Sequence, residues 1–240
     1  MPEIIDINTM FGPLPIAPSD LSIEGLLSQM RRHQISLSCT ISTIGLQLDH
    51  NSGNAATRAA AAESKELIPV ATINPLRYMS NDDTISSLKT NGFKMVRFFP
   101  RMQGWPIQFA PFVMLGHGVA TANLPLMIET GVPGAATELL NALGDYAGAI
   151  ILTGVDSQVL AEALVLMTRH ANIYLETSGL IATGAIALAA SQVGTERLLF
   201  GSGAPMRPVA CGLNLVRAAG LAAEDEVALL GGNARRLLKL

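Results

Sequence analysis

Two charged residues stand inside apolar stretches of the sequence, where a charge is costly unless something compensates it. Arg97 lies in FKMVRFF and Glu129 lies in LPLMIET. A guanidinium recognises carboxylates through paired hydrogen bonds, whereas a poorly solvated carboxylate is suited to proton transfer. Two interpretations follow: the pair binds and transforms a small anionic molecule, or Arg97 simply neutralises Glu129 as a buried ion pair.

Loop residues could complete such a site. Arg101 and Trp105 lie in PRMQGWPIQ, and His50 lies in TIGLQLDHNSG. Trp105 could stack on a flat substrate, Arg101 could bind its carboxylate, and His50 titrates in the range that acid–base catalysis needs. The competing interpretations are an exposed arginine, an exposed histidine, and a tryptophan that packs its loop onto the protein.

A short glycine-rich turn offers a different kind of anion site. Gly201-Ser202-Gly203 resembles turns whose backbone N–H groups bind phosphate, and Arg207 follows closely. This turn indicates an alternative function, the binding or isomerisation of a phosphorylated metabolite.

The elements that must position these residues alternate between short β-rich runs and helix-like segments, with a period of about 30 residues. The predicted strands are EIIDIN, ISLSCTIS, LIPVATIN, FKMVRFF, LPLMIET, AIILTG, NIYLETS and RLLFGSG. Eight strand–helix pairs in 240 residues predict an α/β fold, a (β/α)₈ TIM barrel forming one domain over residues 1–240. An open doubly wound sheet is the alternative, but the first strand lacks a Gly-x-Gly-x-x-Gly turn.

Three helices have recognisable sequence boundaries. The segments are SDLSIEGLLSQMRRH, GNAATRAAAAESKE and DSQVLAEALVLMTRH. Asp20 and Asp156 are predicted N-caps, and Arg169 and His170 fall where a helix C-terminus favours positive charge.

In a barrel, chemistry belongs at the C-terminal ends of the strands. The residues predicted there are Asn8, Met10, Ser42, Thr43, Asn74, Arg97, Phe99, Glu129, Thr153, Ser178 and Gly203. Asp6 shares the orientation of Asn8 by strand alternation, and we interpret it as a structural residue that holds neighbouring loops.

Composition excludes several functions. The net charge of -3 and the pI of about 5.8 argue against nucleic acid and anionic membranes as partners. Cys39 and Cys211 have no metal or redox spacing, and we predict buried thiols in a cytoplasmic protein without a secretion signal. The uncharged stretch FAPFVMLGHGVATANLPLMI is predicted to divide into a helix and a buried strand instead of spanning a membrane.

Several motifs together resemble one family. DINTMFG is similar to the first-strand motif of the amidohydrolase-related family, the metal-dependent hydrolases and decarboxylases of the amidohydrolase superfamily. The further segments that resemble this family, in the same order, are VATINP, GFKMVRFFP, LPLMIETG, AIILTGV, NIYLETSG, RLLFGSGAP and GGNARRLLKL. The resemblance covers nearly the whole chain and implies a TIM barrel with hydrolase or lyase activity.

The resemblance breaks down at the metal site. Carried over position by position, the family's metal-binding side chains fall on Asn8, Met10, Glu129, Thr153 and Gly203. Only Glu129 is a strong ligand, whereas a catalytic zinc needs about three. The residues His33, His117 and His170 are predicted in or at the ends of outer helices. We therefore predict no metal and no cofactor.

The function that the resemblance implies is hydrolysis or decarboxylation of a small carboxylated metabolite, for example a lactone, without a metal. Glu129 would move the proton, with His50 as a further acid–base candidate. Arg97 and Arg207 would form an anion clamp for the carboxylate, and Asn8 and Thr153 would orient the ligand. The residues expected to contact the substrate are Asn8, Met10, Arg101, Trp105, Thr153, Ser178, Ser202, Gly203 and Arg207. The alternative is a catalytically inactive relative that binds a small anionic ligand or serves as an interaction scaffold.

One predicted outer helix carries no charge. It is the segment LIATGAIALAASQVG, which runs from Leu180 to Gly194. An outer helix in water normally shows a polar face, so we predict a homo-oligomer with this helix near the interface.

Overall fold

The computed structural model describes residues 2–15, 20–77 and 83–240. Ser19, the first residue of the predicted first helix, lies outside them. The strands are β1 Ile5–Phe11, β2 Leu37–Ser42, β3 Leu67–Pro69, β4 Ala71–Thr72, β5 Val96–Phe98, β6 Leu126–Glu129, β7 Ile150–Thr153, β8 Ile173–Glu176 and β9 Leu198–Leu199. The helices are α1 Ile23–His33, α2 Ile44–Gln47, α3 His50–Glu63, α4 Asp83–Thr90, α5 Pro100–Gln103, α6 Ala110–Thr121, α7 Ala135–Leu143, α8 Leu160–Arg169, α9 Ala185–Val193, α10 Val209–Arg217, α11 Ala223–Val227 and α12 Asn233–Leu238.

The strands form a parallel (β/α)₈ barrel, as predicted. They pair in parallel in the order β1-β2-β3 and β4-β5-β6-β7-β8-β9. β3 and β4 are two halves of the predicted third strand, separated at Val70, whose N–H still bonds to the neighbouring β2. The barrel closes between the first and last strands, where Ile7 donates to the Phe200 carbonyl at 3.0 Å and Met10 donates to the Ala204 carbonyl at 2.9 Å.

Strand alternation divides the apolar residues into two layers. Met95, Met127 and Ile151 belong to the core inside the barrel, while Leu126 and Ile128 belong to the layer between strands and helices. All five are fully buried. Burial of these two layers is the main favourable contribution to folding, and it fixes which end of each strand is free to carry polar residues.

Two helix starts differ from the prediction. Ser22 is the N-cap of α1 and accepts a hydrogen bond from the Gly25 N–H. Asp20 lies two residues before this cap and accepts a hydrogen bond from the Ser22 N–H at 2.8 Å. Asp156 accepts from a turn N–H ahead of α8, which begins only at Leu160. The predicted positive C-terminus of α8 is confirmed, with Arg169 in its last turn and His170 as its C-cap.

The stretch that imitates a membrane span divides as predicted into α6 and β6. Over the described ranges, every helix is too short or too polar to cross a bilayer. Both cysteines are free, but only Cys39 is buried. The prediction for Cys211 is wrong, because its position on α10 faces away from the barrel core.

Candidate active site

A buried carboxylate, Glu176, organises the C-terminal end of the barrel. Its Oε2 accepts hydrogen bonds from Asn8 Nδ2 at 3.0 Å, from the Thr153 hydroxyl at 2.7 Å and from the Ser178 hydroxyl at 2.8 Å. Its Oε1 accepts from the Ser178 backbone N–H. Asn8, Thr153 and Ser178 are all among the site residues predicted from the sequence, but Glu176 is not. A carboxylate at the end of an apolar strand, the pattern that identified Glu129, would also have identified Glu176.

The glycine-rich turn after β9 serves this cluster and not a phosphate. A side chain at position 201 would overlap the Glu176 carboxylate, so the turn requires glycine there. The three backbone N–H groups of the turn are already used: Gly201 donates to the Thr177 hydroxyl, Ser202 to Asp6 Oδ1 and Gly203 to the Asn8 carbonyl. The phosphate alternative therefore finds no free backbone donors here.

Arg207 lies at the rim of the cluster. It is exposed, and its guanidinium donates to the Ser178 carbonyl. It also lines a groove of about 520 Å³ beside α1, outside the barrel. The structure thus separates Arg207 from Arg97, with which sequence analysis had grouped it as an anion clamp.

Arg97 is a buried cation that forms no ion pair with any described residue. Its side chain lies inside the barrel wall at 7% exposure, with Cζ 4.5 Å from the centre of the Phe99 ring. Burial lowers its pKa to about 10, while the nearby carboxylates of Glu176, Glu129 and Asp6 favour the charged form. It is therefore still charged at neutral pH.

The expected neutralising pair between Arg97 and Glu129 is not formed. Among the described residues, Arg97 forms no hydrogen bond and no ion pair within 4.0 Å, and its Nε is buried with no acceptor. Glu129 Oε2 is likewise buried with no donor. A guanidinium and a carboxylate, both with unused hydrogen-bonding capacity, thus lie close enough to interact electrostatically.

Glu129 also faces a cavity of about 340 Å³ between the loops that follow β5 and β6. Arg101, which is exposed, and Trp105 line the same cavity. This volume lies within the range of small-molecule sites. The cavity therefore connects the predicted proton-transfer residue to two of the predicted substrate contacts.

Trp105 packs the loop after β5 onto the barrel, which was the competing interpretation. It is 4% exposed, its ring is tilted on Phe112 at 4.9 Å and meets the edge of Phe98 at 6.3 Å. Its indole N–H donates to the Gln103 side chain at 3.0 Å. Only part of the ring remains to form the cavity wall.

His50 and Met10 are both buried and lie apart from the polar cluster. His50 is the first residue of α3, and burial lowers its pKa. Its Nδ1 has no partner, and no hydrogen bond between described residues links the ring to Glu176. Met10 belongs to the barrel core with Phe99 and Met127.

Asp6 ties the first strand to the turn after the last one. Its Oδ1 accepts from the backbone N–H of Asn8 at 3.1 Å and of Ser202 at 3.0 Å, as expected for a structural residue. Asp6 is completely buried and its Oδ2 has no partner. Burial, with a smaller contribution from Glu176, raises its pKa to about 7.

We predict that Asp6 makes the stability of the barrel decrease as pH rises from 3.8 to about 7. Its pKa of about 7 exceeds the ordinary value of 3.8, so the folded state binds this proton more tightly than the unfolded chain. The stabilisation is complete below pH 3.8 and is lost as pH rises to 7. A difference of about three pKa units corresponds to about 4 kcal/mol.

The test compares urea unfolding of wild type and Asp6→Asn between pH 4 and pH 8. The free energy of unfolding of wild type should fall relative to that of Asp6→Asn over this interval, because asparagine keeps the acceptor but cannot ionise. Asp20→Asn, which removes an exposed carboxylate with a lowered pKa, is the control. Parallel profiles for wild type and Asp6→Asn would contradict the prediction.

A polar cluster lies at the C-terminal strand ends of this parallel (β/α)₈ barrel. The fold and the cluster together place the chain among the barrel proteins that carry their functional site at this face. The sequence model of the amidohydrolase family matches residues 50–240. The chain belongs to this amidohydrolase family.

Solved structures of the same fold are similar over the whole chain. 2,6-Dihydroxybenzoate decarboxylase complexed with 2,6-dihydroxybenzoate has a TM-score of 0.81 and 14% identity over 100% of both chains. 5-Carboxyvanillate decarboxylase from Sphingomonas paucimobilis has a TM-score of 0.78 and 13% identity, again over 100% of both. A probable 2-pyrone-4,6-dicarboxylic acid hydrolase from Acinetobacter baumannii with citric acid bound has a TM-score of 0.75 and 16% identity, over 99% of this chain and 100% of that one. No curated protein sequence gives a significant match.

The residues at the family's metal-binding positions do not fit a metal. Asn8 Nδ2 and the Thr153 hydroxyl both direct hydrogens at Glu176. Asn8 Oδ1 remains as an unpaired buried acceptor, but it is one weak ligand where a catalytic zinc needs about three strong ones. In the ranges that the structure describes, no three His, Cys, Asp or Glu side chains are grouped to hold an ion. The three outer histidines are where sequence analysis placed them, with His33 on α1, His117 on α6 and His170 at the end of α8.

Proposed function

We propose that this protein is an enzyme that hydrolyses or decarboxylates a small carboxylated metabolite without a bound metal. Arg97 binds the substrate carboxylate and Glu129 transfers the proton. The family supports this class of reaction, and the three similar structures are described with carboxylic acids as substrate or ligand.

The observation that carries the proposal is the unpaired charge of Arg97. Burying a charge is costly, and buried charges are normally paired and hydrogen-bonded. By contrast, no described residue accepts a hydrogen bond from the Arg97 guanidinium. The three nearby carboxylates favour its charge but do not contact it. A ligand carboxylate would accept two hydrogen bonds from this guanidinium. Ligand binding would therefore explain why a charge that forms no ion pair with the described residues is buried in the barrel.

Glu129 can serve either reaction because, among the described residues, its Oε2 accepts no hydrogen bond. In lactone hydrolysis it would take a proton from the water that attacks the acyl carbon. The acyl carbon–oxygen bond of the ring then breaks, and Glu129 would return this proton to the leaving alkoxide. In decarboxylation the bond to the carboxyl carbon breaks, carbon dioxide leaves, and protonated Glu129 would donate to the remaining carbanion. Arg97 would stabilise negative charge on the substrate in both cases.

The test is a substrate screen on protein exhaustively treated with a chelator. Lactones bearing a second carboxylate and hydroxylated aromatic carboxylates form the panel, with ring opening or carbon dioxide release as the signal. We expect turnover that is unchanged by chelation and by added zinc or manganese. Turnover that appears only with added metal would overturn the metal-free mechanism.

A second candidate is a binding protein without catalysis. The observation in its favour is that Asn8 Nδ2 and the Thr153 hydroxyl, at former metal positions, bind Glu176 and are not available to a substrate. It predicts that members of the same panel bind, as measured by calorimetry, without any being converted. Conversion of a bound compound would eliminate it.

We also propose that the protein assembles as a homo-oligomer through the uncharged outer helix. The regular helix is α9, Ala185–Val193, and is shorter than predicted. Leu188 on α9 is 49% exposed, and α8 and α9 form the walls of a largely apolar groove. Leu188→Glu should therefore lower the sedimentation coefficient to that of a monomer, whereas Met114→Glu, at 50% exposure on α6, should not. Unchanged sedimentation of Leu188→Glu would rule out this interface.

A further inference from the structure

Glu176 and Arg97 carry opposite charges in the same barrel but do not form a contact. Of the three carboxylates that favour the charged form of Arg97, Glu176 has the largest effect. No nitrogen–oxygen distance between the two side chains is 4.0 Å or less. A buried charge is costly unless it is closely paired, so the separation of these two side chains needs a structural cause.

The hydrogen bonds of Glu176 supply that restraint. Both carboxylate oxygens are used, Oε2 by Asn8, Thr153 and Ser178 and Oε1 by the Ser178 backbone N–H. Charge-assisted hydrogen bonds to a buried carboxylate are among the stronger ones in proteins. Each of these bonds opposes a turn of Glu176 towards Arg97, so the loss of any one of them makes that turn easier.

We infer that Asn8, Thr153 and Ser178 are positioning residues that hold Glu176 away from Arg97 and so keep the guanidinium open for a ligand. Two of the three, Asn8 and Thr153, stand where the family resemblance places metal ligands. In this chain they fix a carboxylate in place of a metal. Glu176 then stabilises the charge on Arg97 through space without using its donors. The inference rests on the proposed function only in assigning a ligand to Arg97.

A double-mutant cycle tests the restraint without any ligand. Arg97→Met and Glu176→Gln are made singly and together, and urea unfolding gives their coupling. The cycle is then repeated in an Asn8→Ala background. With the amide removed, Glu176 should approach Arg97, and the coupling should increase on the order of tenfold in the unfolding equilibrium constant. A coupling that is unchanged or smaller would overturn the inference.

Thr153→Val provides a second background, because it removes one hydroxyl donor and keeps the shape of the side chain. The same increase in coupling is expected there. A crystal structure of Thr153→Val or Asn8→Ala gives a direct check: an Arg97–Glu176 distance within 4.0 Å supports the restraint, and an unmoved Glu176 refutes it. None of these measurements uses a substrate. A failed substrate screen would therefore not change their interpretation, and a failed double-mutant cycle would not contradict a positive screen.

Discussion

Arg97→Met should weaken the binding of a carboxylate ligand by about 10² to 10³-fold, because a buried charge-assisted pair contributes about 3 to 4 kcal/mol. Methionine keeps an apolar stem against Phe99 but removes every donor. The loss of the charge should alter stability much less, since Arg97 makes no ion pair with any residue that the structure describes. Isothermal titration with the best compound of the screen measures the affinity, and thermal unfolding measures the stability.

Two further variants show whether the loss of ligand affinity is due to bidentate hydrogen bonding by the Arg97 guanidinium. Arg97→Lys keeps the charge but not the bidentate geometry, and should give an intermediate affinity. Arg169→Met removes an exposed arginine at the end of α8, outside the cavity beside Glu129, and should change affinity by no more than about threefold. Full affinity in Arg97→Met would mean that the ligand carboxylate binds elsewhere.

The barrel itself could be predicted because its signals are local. Apolar runs, helix-like segments and their regular spacing are properties of short segments, and the eight predicted strands all exist, one of them broken at Val70. Arg97 and Glu129 could be selected for the same reason, since a charge in an apolar strand is visible without the fold. Glu176 met this criterion too and should have been selected with them.

The partners of these residues could not be predicted, because they depend on closure of the barrel. Asn8 and Glu176 are 168 residues apart and meet only when the first strand closes on the last. The same closure brings Asp6 and Asn8 to the Gly201-Ser202-Gly203 turn, where they accept hydrogen bonds from the Ser202 and Gly203 N–H groups. In the sequence alone these N–H groups appear free to bind a phosphate. The aromatic contacts of Trp105 have a shorter range: Phe98 and Phe112 lie only seven residues before and after it, and their rings offer more apolar contact than a solvent-exposed cavity wall.

Glu129→Gln should lower kcat by about 10²- to 10⁴-fold, the usual contribution of a positioned general acid or base. Glutamine has nearly the same size and can still accept a hydrogen bond, so ligand affinity should stay within about threefold of wild type. Single-turnover kinetics and calorimetry on the same compound separate the two effects. This separation is specific to proton transfer, because a residue that only shaped the cavity would change both together.

Glu138→Gln is the matched control, because Glu138 lines the same cavity but is exposed. Its kcat should remain close to that of wild type. If Glu129→Gln keeps wild-type turnover, then Glu129 is not the proton donor or acceptor. Glu176 could replace it only by giving up hydrogen bonds to Asn8, Thr153 and Ser178. Asp6 has a free oxygen, Oδ2, but its side chain is completely buried. Glu129 alone among these carboxylates has an oxygen without a partner and a cavity beside it, so its substitution is the most direct test of catalysis.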